Sequence, residues 1–209
     1  MNSNILYRII KRTFDIITSI IGLVFLIPIA LLVKISYILT GDFNSIFFIQ
    51  KRIGKNGKEF NLFKFRTMIP NADEELKKML GKDKILKEEY SKNKKLRHDP
   101  RITKAGRIIR RYSIDEIPQI INIFIGQMSM IGNRPYLPRE KKDMNGYYDD
   151  IVSTKPGLTG YWQVSGRSDL SFKKRLELEK YYSNNCNLKL DCIIFIKTFK
   201  AVIFGDGAK

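Results

Sequence analysis

The sequence predicts a mixed α/β chain of the α+β kind, held at a membrane by its N-terminus. Two observations carry that prediction. A charge-free apolar run lies near the start, and a strand–turn–strand pattern is followed by short stretches of helical periodicity between Gly- and Pro-containing turns. With 209 residues, 44% of them hydrophobic, there is material for one domain of ordinary size plus a membrane element.

The membrane element comes first. Residues 16–33 carry no charge over 18 positions, between Asp15 and Lys34. A helix of that length reaches about 27 Å, just under the roughly 30 Å of a hydrocarbon core. A soluble core helix fits this composition poorly, and no small-residue cleavage site follows to mark a signal peptide. Three features favour a re-entrant helix over a crossing one. Pro28 inside the run costs about 3 kcal/mol unless the helix bends there. Gly22 weakens the same helix. Both flanks are basic, Arg8, Lys11 and Arg12 before the run and Lys34, Lys51, Arg52, Lys55 and Lys58 after it, so the positive-inside rule gives no polarity. The expected anchor is therefore a re-entrant, Pro-broken helix hairpin over residues 1–41. A boundary at Thr40-Gly41-Asp42 leads into a second domain, residues 42–209.

Residues 46–68 read as a hairpin with its turn at Gly54-Lys55-Asn56-Gly57, since Asn-Gly is a strong turn signal. A period of two on the second strand sets Lys64 and Arg66 on one face, suited to phosphate oxygens, with Phe63 and Phe65 on the other. Residues 72–90 form a charged helical excursion that can lie on the bilayer, and several helices here have the amphipathic character of interfacial segments. Residues 127–140 and 155–160 read as loops. The glycines around Arg167 would let backbone approach a phosphate or a sugar. Ser171 can cap a helix to about Tyr182, and Asp191 can cap a last helix ending near Gly205.

Between these elements stands Ser113-Ile114-Asp115-Glu116-Ile117-Pro118-Gln119. Ile117, Ile120, Ile121, Phe124 and Ile125 recur at helical spacing after the acids, and Ile102, Ala105, Ile108, Ile109 and Tyr112 do so before them. Arg101, Lys104, Arg107, Arg110 and Arg111 surround the earlier face. Two carboxylates at a helix start, beside guanidinium groups, stay ionised near neutral pH and suit attack on phosphorus or the holding of a magnesium ion. A Ser113–Glu116 capping box, or Asp115 as the cap, explains the same residues about equally well.

Charge and composition narrow the chemistry. The formal net charge is +17, and residues 77–111 hold fourteen Lys or Arg against four acids. Such a block suits nucleic acid, anionic lipid or polyphosphate ligands. His98 is the only histidine, which excludes multi-histidine metal sites and HExxH chemistry, and the two cysteines, Cys186 and Cys192, lack zinc-site spacing. Acid–base and nucleophilic work falls to Asp, Glu, Lys, Tyr, Ser or Cys.

Taken together the motifs resemble the bacterial sugar transferases, monotopic polyprenyl-phosphate phosphoglycosyl transferases. They run in order as KRTFD (residues 11–15), the apolar helix with Pro28, FFIQKRIGKNGKEF (47–60), KFRTM (64–68), DPRIT (99–103), SIDEIPQIIN (113–122), QMSMIGNRP (127–135), KPGLTGYWQVSGR (155–167) and the terminal GDGAK. They cover nearly the whole chain. The resemblance implies transfer of a sugar 1-phosphate from a UDP-sugar to a polyprenyl phosphate, typically undecaprenyl phosphate, with release of UMP. It implies Asp115 as the nucleophile of a covalent phosphosugar intermediate and Glu116 as its partner with Mg2+ or in proton transfer. Arg110 and Arg134 would hold phosphates, and Lys64 and Arg66 match the basic pair of the KFRTM strand. Gln163 and Arg167 fall in the substrate-binding loop, and Tyr-Trp-Gln resembles members that transfer hexose 1-phosphates such as galactose or glucose.

Two departures stand out: Ile27 precedes Pro28 where the family has Ser, and residues 132–135 read G-N-R-P rather than G-P-R-P. The large members' extra N-terminal membrane domain is absent from the sequence, so the minimal, catalytic-only form is expected. Expected partners are the UDP-sugar, the polyprenyl phosphate and membrane lipids at the bacterial cytoplasmic membrane, without nucleic acid and with self-association left open. The competing readings are a membrane-tethered basic nucleic-acid-binding protein and a non-catalytic scaffold; neither accounts for the Asp115-Glu116 pair.

Overall fold

The charge-free run lies inside a longer helix, α1 (Ile5–Leu39), in the computed structural model, which describes residues 5–93, 96, 98–166 and 170–204. Its 35 residues reach roughly 52 Å, and it is long and apolar enough to cross a membrane. The helix passes through Pro28 without interruption. The expected break is thus not a gap in the helix: proline removes one backbone hydrogen bond, and the turns on either side keep theirs. One side of α1 is buried at Asp15, Ser19, Leu26, Val33 and Tyr37, while Ile17, Ile20, Ile21, Val24, Phe25 and Ile27 stay exposed.

The hairpin forms where the sequence places it, with β1 (Phe47–Ile53), a 3-10 turn at Lys55–Gly57, and β2 (Glu59–Phe65) in a two-stranded sheet. Asn56 and Gly57 supply the two left-handed residues of the turn, at φ 57° and 76°. The charged excursion is two helices, α2 (Ala72–Lys82) and α3 (Lys84–Asn93). Then follow α4 (Lys104–Arg111) and α5 (Gln119–Phe124). A second sheet joins β3 (Ser129–Ile131) to β4 (Gly157–Thr159) in parallel, Ser129 opposite Gly157 and Ile131 opposite Thr159. Both strands fall in stretches that read as loops, because three residues are too few to show alternation. Between them lie a 3-10 segment, Pro138–Tyr147, and α6 (Tyr148–Val152). The chain continues into α7 (Phe172–Asn185) and α8 (Leu188–Phe204).

Ser171 caps α7 as expected, its Oγ accepting from the Lys174 N–H at 3.2 Å. Asp191 does not cap α8. That helix starts three residues earlier, where the Asn187 side chain accepts from the Leu190 N–H at 2.9 Å. Asp191 instead turns inward to take Lys11 Nζ at 2.6 Å, the Tyr182 hydroxyl at 2.8 Å and the Tyr7 hydroxyl at 2.9 Å.

Contacts divide the chain into two units, one of residues 1–27, 49–64 and 116–209, the other of residues 28–48 and 65–115. In the first, Phe60 and Leu62 of β2 pack with Ile120 and Ile123 of α5 and with Met128, and Leu23 of α1 lies against them. Helix α1 is pinned to this core at three points. Arg12 donates to the Ile123 and Phe124 carbonyls at the end of α5, at 2.8 and 2.7 Å. Asp15 Oδ1 accepts from Ser129 Oγ at 2.9 Å and from the Met130 N–H at 2.8 Å. Gly22 lets the helix approach α5 closely, since a Cβ there would sit 3.0 Å from Ile120 Cγ2. A second cluster gathers Tyr136, Met144, Ile151 and Leu176.

In the other unit, the later turns of α1 are held by the Tyr37 hydroxyl, which donates to the Arg66 carbonyl, and by Lys34, which reaches the Phe43 and Asn44 carbonyls at 3.2 Å each. Thr67 accepts from the Thr103 N–H at 3.0 Å, and Met68 bridges Ile102, so the chain entering α4 is stitched to the end of β2. Arg101 and Asp99 form a buried ion pair at 2.6 Å.

Candidate active site

Neither carboxylate of the central motif caps a helix. Ser113 takes a left-handed conformation at φ 55°, which ends the run from α4, and Ile114–Glu116 is one turn of 3-10 helix. Helix α5 begins only at Gln119, with Pro118 in the cap position. The capping reading therefore falls away for both acids: proline's missing N–H suits the first turn of a helix, and Asp115 and Glu116 lie outside it. The apolar face expected after them is also rotated. Gln119, Ile120, Asn122 and Ile123 are buried, whereas Phe124 and Ile125 are 43% and 54% exposed. On α4, Ala105 and Ile109 are buried as expected, but Ile108 and Tyr112 are exposed.

Glu116 is held by Lys64 of β2, Nζ to Oε1 at 3.0 Å. Strand and turn are kept in register by Asn122, which is wholly buried. Its Oδ1 accepts from the Phe63 N–H at 3.0 Å, and its Nδ2 donates to the Asn61 carbonyl and Gln127 Oε1 at 2.7 Å each. One side chain thus supplies a missing ladder to β2 one residue before Lys64. Lys64 and Glu116 open onto a cleft lined also by Arg52, Gln119, Arg134, Trp162 and Gln163. Burial works against the ionised form of Glu116. The charge and hydrogen bond of Lys64, then Arg134 and Arg52, outweigh it and hold the carboxyl below its ordinary range. Burial, with Arg134 beside it, brings the Arg52 guanidinium down to about 10, which leaves it protonated at neutral pH.

The direction of the Glu116 shift fixes a pH prediction. A depressed folded value means that the stabilisation from the Lys64 pair is complete above the ordinary carboxylate range and is lost as pH falls through the lower folded value. In Lys64→Met the leading attraction is gone and burial is less well opposed. A carbon-13 titration of the Glu116 carboxyl should therefore move to higher pH; an unmoved titration would show that Arg52 and Arg134 alone set it.

The other expected residues divide. Arg134 and Gln163 join Lys64 and Glu116 at the cleft. Arg66 is committed to its own chain: Nε donates to the Ser45 carbonyl at 2.7 Å, Nη1 to the Met68 carbonyl at 2.9 Å, and Nη2 to both Asp42 oxygens at 3.0 Å, with the Tyr37 ring 4.7 Å away. Three nitrogens making four hydrogen bonds inside the protein make it a brace for the chain around β2 in place of the expected open phosphate ligand. Arg110 lies exposed near the end of α4, and Arg167 and the terminal GDGAK lie outside the described residues. Sequence reasoning missed Arg52, Gln119 and Trp162 as site residues. Arg52 stood in the sequence as a basic flank and inside the FFIQKRIGKNGKEF strand motif, with no role assigned to it. Among the described residues, its Nε and the Trp162 Nε1 are buried without a hydrogen-bond partner, two donors at a cleft lined by cations. The glycines near Gln163 serve the chain itself: a Cβ on Gly157 would sit 2.1 Å from the Gly132 nitrogen and one on Gly160 2.2 Å from the Gly132 oxygen. They allow β3 and β4 to close.

A family profile described as Bacterial sugar transferase matches residues 6–205. The chain belongs to the bacterial sugar transferase family. Against individual proteins this sugar transferase is 42% identical over 204 residues to the Undecaprenyl-phosphate galactose phosphotransferase of Salmonella typhimurium, covering 96% of this chain and 42% of that protein. It is 38% identical over 198 residues to the Exopolysaccharide production protein ExoY of Sinorhizobium fredii, covering 95% and 87%. It is 31% identical over 212 residues to the UDP-N-acetylgalactosamine-undecaprenyl-phosphate N-acetylgalactosaminephosphotransferase of Aeromonas hydrophila, covering 98% and 46%. The chain thus spans under half the length of the first and third of these relatives and most of the second. In this sugar transferase the G-N-R-P departure has a visible cause. Asn133 is buried and its Nδ2 donates to the Ile151 carbonyl at 3.0 Å, Thr154 Oγ1 at 3.3 Å and Ser183 Oγ at 2.6 Å. A side-chain clamp stands where the family pattern has the fixed φ of proline.

The donor set also bears on Mg2+. Among the described residues there is no group of three or more His, Cys, Asp or Glu that could hold a metal. One or two carboxylates completed by substrate phosphates are what a magnesium ion ordinarily takes, so a three-residue protein cluster is not required for one.

Proposed function

We propose that this chain transfers a sugar 1-phosphate, a hexose such as galactose or glucose, from a UDP-sugar to undecaprenyl phosphate, releasing UMP. The observation that carries the proposal is the cleft, lined among the described residues by three cations, Arg52, Lys64 and Arg134, and one acid, Glu116. Cations in excess, with buried donors left over, suit a diphosphate; the relatives' names supply the reaction class.

In the first step a carboxylate oxygen of Asp115 attacks the sugar-bearing phosphorus. An oxygen–phosphorus bond forms as the bond to the bridging oxygen breaks, and that electron pair leaves with UMP. In the second step a phosphate oxygen of undecaprenyl phosphate attacks the same phosphorus, the bond to Asp115 breaks, and the carboxylate is restored beside the lipid diphosphate sugar. Lys64, Arg52 and Arg134 would neutralise the donor's charge, which otherwise repels an attacking carboxylate. Mg2+ held by Asp115 and Glu116 with the diphosphate would add to that neutralisation. Arg110, Gln163 and Arg167 would complete the hold on substrate.

The anchor, residues 1–41, would enter and leave the cytoplasmic face of the bacterial inner membrane, ahead of a catalytic domain at residues 42–209. What supports this is the apolar run with basic residues on both flanks, which gives no polarity for a crossing, and the length and composition of α1, which suit a membrane.

The test is nucleotide release by protein in nanodiscs given undecaprenyl phosphate, Mg2+ and a panel of UDP-sugars. UMP with one donor is the expected product. UDP would mean transfer of sugar alone and would sink the proposal, as would no release from any donor beside an active control.

A further inference from the structure

One buried acid has no part in the chemistry above. Glu179 lies on α7, 1% exposed, and its Oε1 accepts from the Arg134 N–H at 2.9 Å. One helical turn on, Ser183 Oγ takes the Asn133 side chain at 2.6 Å. Two side chains four residues apart on α7 therefore grip consecutive residues of the loop that carries Arg134 to the cleft. The same helix bears Arg175, whose guanidinium lies 4.4 Å from the Trp162 ring, so both the Arg134 and Trp162 walls of the cleft are backed by α7.

We propose that Glu179 is a positioning residue: it holds the Arg134 backbone so that the guanidinium meets the donor's diphosphate. The inference rests on the reading of the cleft as a UDP-sugar site. A carboxylate of this kind is not needed for packing. Glu179 and the Tyr136 hydroxyl that faces it are both buried, and an apolar side chain of the same volume would avoid burying a carboxylate there. The groups facing Glu179 are Tyr136 and Arg134 from the loop after β3 and Arg175 from α7 itself, with Glu140 facing Arg175 from the 3-10 segment. Burial pushes Glu179 up to about 7, against the pull of Tyr136, the Arg134 N–H and the two guanidinium groups. Below that value it is neutral and a weaker acceptor, so the grip on Arg134 tightens as pH rises through neutrality.

The experiment compares wild type, Glu179→Gln and Glu179→Leu in nanodiscs, with UDP as the probe and calorimetry as the readout. At pH 8, Glu179→Leu should bind UDP about tenfold more weakly, the scale of one hydrogen bond to a charged group. Glu179→Gln keeps an acceptor oxygen and should stay within about twofold of wild type. Between pH 8 and pH 6 wild type should lose more affinity than Glu179→Gln, since titration of UDP itself is common to both. Equal binding and equal pH dependence in all three, whatever their melting temperatures, would overturn the positioning role while leaving the cleft a UDP site. If Glu179→Leu does not fold, the pH comparison with Glu179→Gln still settles the matter. A wild type that does not bind UDP removes both the cleft reading and the inference built on it.

Discussion

Asp115→Asn should abolish UMP release, by more than about a thousandfold, with UDP binding and melting temperature close to wild type. The amide has nearly the shape of the carboxylate but cannot form the covalent bond to phosphorus. The neighbouring geometry makes a structural explanation of such a loss unattractive. Asp115 sits in a single 3-10 turn ahead of α5 and is half-buried, and the amide keeps its shape there. The excess of cations in the cleft comes from Arg52, Lys64 and Arg134 and is untouched by the change. Mass spectrometry supplies an independent readout. Wild type given donor without lipid acceptor should gain the mass of one sugar phosphate, and Asp115→Asn should gain none. Release of UMP surviving in the variant would keep the reaction and reassign its nucleophile.

The second large effect is expected far from the acids. Asp15→Leu should lower stability by about 2–4 kcal/mol, because it strands two donors that now share one buried oxygen, Ser129 Oγ and the Met130 N–H. Asp15→Asn retains an acceptor and should lose much less. Thermal unfolding in nanodiscs distinguishes the two. Equal melting temperatures in Asp15→Leu and wild type would show that α1 only rests on β3.

Much of this was legible in the sequence, and what was not has physical causes. The hairpin announced itself through Asn56-Gly57, α7 through Ser171, and the apolar run of α1 through its lack of charge. These are local signals, set by residues a few positions apart. The pairing of β3 with β4 was invisible because each strand has three residues and the partner lies 28 residues on. Burial on α5 was misread for a related reason: Phe124 and Ile125 satisfy the period but point outward, and polar Asn122 goes inward because the edge of β2 needs its hydrogen bonds. At the candidate site, residue type was informative for Lys64, Glu116, Arg134 and Gln163, which meet at the cleft. It misled for Arg66, half of whose acceptor atoms are backbone carbonyls that carry no mark in the sequence. Arg52 and Glu179 were overlooked because nothing local separates a buried charge from a solvated one.

The inward stripe of α1 bears on how a water-soluble version could be made. Clipping the helix away would strip Leu23 from the cluster of Phe60, Leu62 and Ile120 and would leave the end of α5 and strand β3 without Arg12 and Asp15. Recoding is the better route. Ile17, Ile20, Ile21, Val24 and Phe25 face outward and can be exchanged for Glu, Lys and Gln, while Arg12, Asp15, Ser19, Gly22, Leu23 and Leu26 are kept. Such a chain would carry its own former membrane helix as a scaffold strut in plain buffer.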